Sequence, residues 1–295
     1  MNPPPRSMLL LSWISLLATI VAVDALLLDI HLPLKSPTNE WQQECPFSQA
    51  LESNRILRHY WPQTEQVDFF TPLHIPHVTL YQVEFDLEKD NATIVGKARS
   101  SYHKNDTDAA AAAEIDPDKL EVLLDTLYNM SSAGVLPQCE VVLAPPAIVF
   151  GAYTQWPVQP SDCLQVLSDS IVDQLSKYIK RPPIIPDWVW TLPEPQRSRK
   201  LEMIQRYGSP NVYSEFQPHA TVGFDTTTPT NNSTRRARIR AMNRIANDMP
   251  QPCGGMIRTA AVAKVGVGGT VLADGKVGRD LPLHSPDRKS LSDTS

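Results

Sequence analysis

Two strings recur in matching settings along the chain: Pro76-His77-Val78-Thr79-Leu80 and Pro218-His219-Ala220-Thr221-Val222. Each sets a histidine and a threonine two residues apart in an apolar, β-prone run. In an extended strand successive side chains face opposite sides, so residues i and i+2 share a face. His77 and Thr79 therefore look one way while Val78 and Leu80 look into a core, and His219 and Thr221 are set apart from Ala220 and Val222 in the same manner. A chain that carries the pattern twice is expected to lay two strands side by side and line one cleft with two imidazoles and two hydroxyls. Such a set supplies a proton donor, a proton acceptor and a grip on a developing oxyanion.

The order of elements around each string is similar, which predicts two related halves, about 26–146 and 147–278. In the first, a strand over Leu26–Leu34 precedes a helix over Trp41–Tyr60, and the first string lies in a strand over Pro76–Phe85. Asp116 is the N-cap of a second helix with Pro117 in its first turn, and a strand over Cys139–Leu143 ends the half. In the second, a strand over Ala147–Tyr153 precedes a helix capped by Ser161, with Leu164, Leu167, Ile171, Val172, Leu175 and Ile179 at helical spacing. A helix over Gln196–Tyr207, a strand over Phe216–Phe224, a basic helix opened by Ser233 or Thr234, and strands within Ile257–Leu272 complete it. Residues 86–115 and 181–212 read as insertions, and 279–295 as a disordered tail.

The N-terminus has the build of a signal peptide over residues 1–25. Arg6 precedes an apolar run from Met8 to Val23, and Val23-Asp24-Ala25 offers small or short residues for cleavage. A retained signal anchor is the alternative, because the run approaches spanning length if it continues through Asp24 into Leu26–Leu28. Five N-x-S/T sequons, at Asn91, Asn105, Asn129, Asn231 and Asn232, agree with a secretory route. The expected location is therefore outside the cell or in the secretory lumen. Four cysteines, Cys45, Cys139, Cys163 and Cys253, form an even set able to make two disulfides. The repeat favours Cys45 with Cys139 and Cys163 with Cys253, and pairing across the halves is the open alternative. None lies in a C-x-x-C pair, so no metal site is assigned. The formal net charge of −5 does not suit adhesion to duplex nucleic acid, and it leaves a small or single-stranded phosphate substrate open.

A lone histidine on a strand is more often structural than catalytic; recurrence in one setting singles out His77 and His219. His74 reads as a loop residue, and His31, His59, His103 and His284 have no comparable context. Tyr81 shares a face with His77 and Thr79 by alternation and is a candidate substrate contact opposite Gly223 in the second string, or else a cleft wall. Trp188 and Trp190 offer a stacking platform or cover a core edge. The run Arg235–Arg240 is the strongest basic patch, with a solvated helix face as the bland reading.

IPHVTLY and FQPHATVGF resemble the paired motifs of the two-histidine (2H) phosphoesterase superfamily, which includes cyclic nucleotide phosphodiesterases and 2′-5′ RNA ligase-like proteins. The resemblance covers roughly residues 26–275, and its specific part is the two tetrads. It implies an α+β, duplicated, bilobal fold: two antiparallel sheets with outer helices around a central cleft. It implies His77 and His219 as general acid and base, in an order the sequence leaves open, and Thr79 and Thr221 as phosphate-binding residues. It further implies a metal-independent reaction with no cofactor, on a cyclic phosphate or phosphodiester of a nucleotide or RNA end; the chain is expected to be a monomer. The rival expectations are a non-catalytic secreted binding protein that keeps the fold, and a secreted two-histidine ribonuclease of another fold.

Overall fold

The computed structural model describes residues 26–34, 45–60, 75–87, 115–150, 153–224, 253–266 and 269–285, with scattered helical positions between 233 and 244. The N-terminal segment 1–25, the sequons at Asn91, Asn105, Asn231 and Asn232, His74, His103, Arg235 and Arg238 lie outside the described residues. Asn129 lies within them, exposed on a helix. No helix among the described residues is long and apolar enough to cross a membrane.

Apolar alternation in LLDIHLP makes β1 (Leu27–Pro33) the hub of the large sheet. It pairs antiparallel with β2 (His77–Glu84) on one edge and with β8 (Thr259–Val265) on the other. Beyond β2 come β6 (His219–Phe224), β5 (Tyr153–Pro157) and β4 (Ile148–Phe150). Beyond β8 come β9 (Val271–Lys276) and β10 (Leu281–Pro282), giving eight strands. A second sheet pairs β3 (Cys139–Leu143) with β7 (Cys253–Ile257). The fold is thus α+β with antiparallel sheets, as expected, and the two lobes of the large sheet meet edge to edge at β2 and β6. The region expected as one strand over 147–153 contains β4, and β5 begins only at Tyr153.

Helices α1 (Cys45–Tyr60) and α3 (Asp162–Leu175) pack on the large sheet, against β6 and β2 respectively, and also touch the small sheet. The sequence signals for the helices act as expected. The Asp116 carboxylate accepts the Asp118 N–H at 3.0 Å to start α2 (Pro117–Ser132), and the Ser161 hydroxyl accepts the Leu164 N–H at 3.2 Å to start α3. Short α4 (Asp187–Trp190) packs on α5 (Gln196–Tyr207). Gly208 ends α5 in the left-handed conformation, where a Cβ would collide with Val83 of β2.

Two expectations are corrected. Residues 279–285 are not part of a loose tail: Leu281 and Leu283 alternate into the core, and β10 pairs with β8. The short period-2 pattern of a two-residue strand was too brief to register in the sequence. The disulfides join Cys45 to Cys253 and Cys139 to Cys163, with Cα separations of 5.2 and 5.7 Å, so each bridge crosses between the halves. The cause is the small sheet, which sets Cys139 opposite Ile257 and Leu143 opposite Cys253. Cys139 and Cys253 therefore stand at opposite ends of the ladder, and each meets the helix of the other half. The two bridges are compatible with an oxidising compartment.

Each His-x-Thr strand carries a β-bulge just after its threonine. Against β1, Thr79 faces His31 and Tyr81 faces Ile30, so Leu80 is the extra residue. Against β5, Thr221 faces Gln155 and Gly223 faces Thr154, so Val222 is the extra residue. A bulge leaves backbone groups without ladder partners. Here both freed carbonyls are taken from behind: Ser168 of α3 donates to Leu80 O at 2.9 Å, and Asn54 of α1 donates to Val222 O at 3.1 Å. Both side chains are buried. Replacing Ser168 with Ala leaves the Leu80 carbonyl unpaired in the core; the expected cost is about 1–3 kcal/mol, read as a lower midpoint in urea unfolding with the disulfides intact.

Candidate functional site

The site is built on the junction between the lobes. Val78 of β2 stands opposite Ala220 of β6. One residue further in each direction, antiparallel order sets His77 across from Thr221 and Thr79 across from His219. Cross-strand neighbours share a face, so all four side chains line one surface while Val78 and Ala220, both fully buried, face the core. The histidines occupy one diagonal of this square and the threonines the other. A diagonal of this kind is roughly 7 Å between Cβ atoms, which leaves room for a tetrahedral group between the rings.

The proline before each histidine has a physical use. It closes the strand's ladder through its carbonyl: Leu34 N–H donates to Pro76 O at 2.7 Å, and Val158 N–H donates to Pro218 O at 2.9 Å. The residue before a proline is held extended, and its carbonyl faces the imidazole two residues on. Nδ1 of His77 lies 2.8 Å from Ile75 O, and Nδ1 of His219 lies 2.8 Å from Gln217 O. With the proton on Nδ1 engaged in this way, Nε2 of each ring is the atom left for chemistry.

The bulges decide what else lies on this face. Across β1 and β2 the core set is Leu28, Ile30 and Leu32 with Val83, Tyr81 and Val78; the site set is Asp29, His31 and Pro33 with Gln82, Thr79 and His77. Tyr81 has therefore crossed to the core side, because Leu80 interrupts the alternation. It is 1% exposed and donates its hydroxyl to Tyr207 O at 2.6 Å. Burial raises its pKa well above the usual phenol range, with Arg181 opposing. The expectation of a substrate contact at Tyr81 is corrected: it is a buried wall residue.

The same alternation brings in two residues that the sequence reading passed over. Asp29 is fully buried, and its Oδ2 accepts the Thr79 hydroxyl at 2.7 Å and lies 3.5 Å from His77 Nε2. His31 meets the His77 ring edge-on, centroids 5.1 Å apart, and its Nδ1 lies 3.7 Å from Asp29 Oδ1. The signal was present: Asp29 and His31 are polar residues at i and i+2 in an otherwise apolar strand, the very spacing that marks the two strings. In the other lobe the positions equivalent to Asp29 and His31 in the register are Tyr153 and Gln155. The frame is two-fold and its lining is not.

That difference separates the two imidazoles electrostatically. Burial disfavours a charge on His77, but the Asp29 carboxylate and the Ile75 carbonyl outweigh it and hold the pKa above the ordinary histidine value. For His219, burial dominates; the nearby His77 and Lys200 add to it, the Gln217 carbonyl and Asp29 oppose it, and the pKa lies below the ordinary value. Lys200 is itself buried, donating to Asn211 Oδ1 at 2.9 Å and Glu215 O at 3.1 Å, so it pins the loop that leads into β6. Nε2 of His219 and the Thr221 hydroxyl have no partner among the described residues. Among those residues, too, no cluster of three or more His, Cys, Asp and Glu is placed to hold a metal ion. Of the remaining candidates, Trp190 is half exposed on α4, and Arg236 and Arg240 are exposed helical positions.

No family model matches the chain, and no curated protein matches it. Among solved structures it is similar to Usb1 of Kluyveromyces marxianus, at 13% identity and TM-score 0.43, covering 88% of this chain and 100% of that one. The same protein with uridine monophosphate gives 12% and 0.41, over 88% and 99%. LigT of E. coli complexed with NADP+ gives 11% and 0.40, over 88% and 99%.

Proposed function

We propose that this chain is a phosphodiesterase of the two-histidine phosphoesterase type, acting on a cyclic phosphate or phosphodiester of a nucleotide or RNA end. The observation that carries the reading is the β2–β6 register, which sets His77, Thr79, His219 and Thr221 on one face with the two histidines across a diagonal. Two imidazoles on either side of a phosphorus atom can serve an in-line displacement, one removing the proton of the attacking hydroxyl and the other protonating the leaving oxygen. Thr221 is free to donate to a non-bridging oxygen, where charge accumulates. The charge balance favours diesters: protonated His77 is offset by Asp29, so the site suits one negative charge better than the two of a monoester.

His219, with the lowered pKa, takes the role of base, and His77, with the raised pKa, that of acid. The reactive form has His219 neutral and His77 charged. It is lost as pH falls through the pKa of His219 and as pH rises through that of His77. The expected pH profile of kcat/KM is therefore a bell whose plateau brackets the ordinary histidine value of about 6.5.

The test is a panel of 2′,3′-cyclic nucleotides with 2′-5′ and 3′-5′ linked oligonucleotides. His77→Ala and His219→Ala should each lower kcat by at least about a hundredfold with the circular dichroism spectrum unchanged. Full activity in either variant refutes the assignment, and wild-type binding without turnover favours a binding protein. EDTA should leave the rate unchanged; a rate abolished by EDTA and restored by a divalent cation refutes the metal-independent reading.

A further inference from the structure

We propose that Asp29 is the positioning residue of this site, a buried carboxylate that makes the first histidine the proton donor and gives an otherwise two-fold frame its direction. The inference rests on the acid–base reading above and adds a residue, and an asymmetry, that the paired motifs do not contain.

The geometry is the ground for it. A carboxylate removed from water must be compensated by a nearby cation and by hydrogen bonds. Asp29 is fully buried in the middle of β1. Its Oδ2 already takes the Thr79 hydroxyl at 2.7 Å, and Oδ1 accepts no hydrogen bond and faces His31 at 3.7 Å. His77 Nε2 stands 3.5 Å from Oδ2. That distance lets the charges attract but is longer than a good N–H···O bond, so the Nε2 proton is stabilised without being locked away from the cleft. The groups around the pair are few. β1 contributes His31, β6 contributes His219, and β8 sets only Ala261 and Ala263 opposite His31 and Asp29. Lys276 of β9, opposite Ala263, is paired with Asp280 at 2.8 Å. No other described strand places a carboxylate against His77.

The consequence for the two threonines is unequal. Thr79 has one hydroxyl proton and gives it to Asp29, whereas that of Thr221 is free. Thr79 thus holds the carboxylate, and Thr221 holds the phosphoryl oxygen. In the forward step His219 Nε2 takes the proton of the attacking water or ribose hydroxyl as the new O–P bond forms. The leaving O–P bond breaks and its oxygen takes the Nε2 proton of His77. The two rings end with their protonation exchanged and reset through solvent.

The experiment is Asp29→Asn, which keeps size and removes charge, followed by two readouts. Proton NMR titration, with ring signals assigned by loss in His77→Gln and His219→Gln, should show the His77 midpoint falling in Asp29→Asn while that of His219 moves little. The alkaline limb of the kcat/KM profile should move to lower pH by the same amount. Above that limb kcat/KM should fall about tenfold for each unit by which the His77 midpoint drops. An unmoved His77 midpoint, or an unmoved alkaline limb in an active enzyme, overturns the proposal. If Asp29→Asn does not fold, the wild-type titration decides: His77 must titrate above His219, and the reverse order overturns it. A wild type inactive on every diester overturns the phosphodiesterase reading instead, and the titration still judges the coupling.

Discussion

Everything at the site depends on one pair of residues meeting across two strand edges. Val78 and Ala220 are the register pair between β2 and β6, and they join the lobes of the large sheet. A slip of one residue by either strand would turn that strand's histidine and threonine to the other face and break up the square. The bulges at Leu80 and Val222 break the alternation right after each threonine, so that in β2 Tyr81 turns to the core and Gln82 takes the site face. Ser168 and Asn54 make those bulges tolerable by taking the carbonyls the ladder gives up. Register, bulge and helix anchor form one device, built twice.

The two-fold frame and the uneven lining are separate layers of the design. Pro76 and Pro218, Ile75 O and Gln217 O, Leu80 and Val222 match position for position. Asp29 and His31 have Tyr153 and Gln155 as their counterparts. Duplication can supply two identical imidazoles, but acid–base work needs two different ones. On His77 the difference comes from Asp29 of the neighbouring strand; on His219 it comes first from burial, with His77 and Lys200 of α5 adding to it.

Much of this was legible from residue order. The caps at Asp116 and Ser161, the span of α5 and the shared face of each His-x-Thr pair follow from spacing, and the α+β class from what the two strings resemble. What failed did so for physical reasons. Tyr81 was placed by strict alternation, and a bulge has no sequence mark when the extra residue is an ordinary leucine. The disulfide partners depend on strand exchange between the halves, since β7 pairs with β3 and β8 with β1, and repeat order says nothing about exchange. Asp29 was masked by the apolar residues around it, although its spacing to His31 carried the needed information.

The exchanged disulfides bear on how the molecule survives damage. Cys45 is bonded to Cys253 and Cys139 to Cys163, so the long connections 88–114 and 225–252 both lie between residues of a single covalent network. One cut by a protease in either connection leaves two peptides still held by the Cys45–Cys253 bond. β2 and β6 lie on either side of the first connection and meet only through packing and hydrogen bonds, and the sulfur bridge keeps their effective concentration high after the chain is broken there. A nicked molecule would remain one particle until its disulfides were reduced.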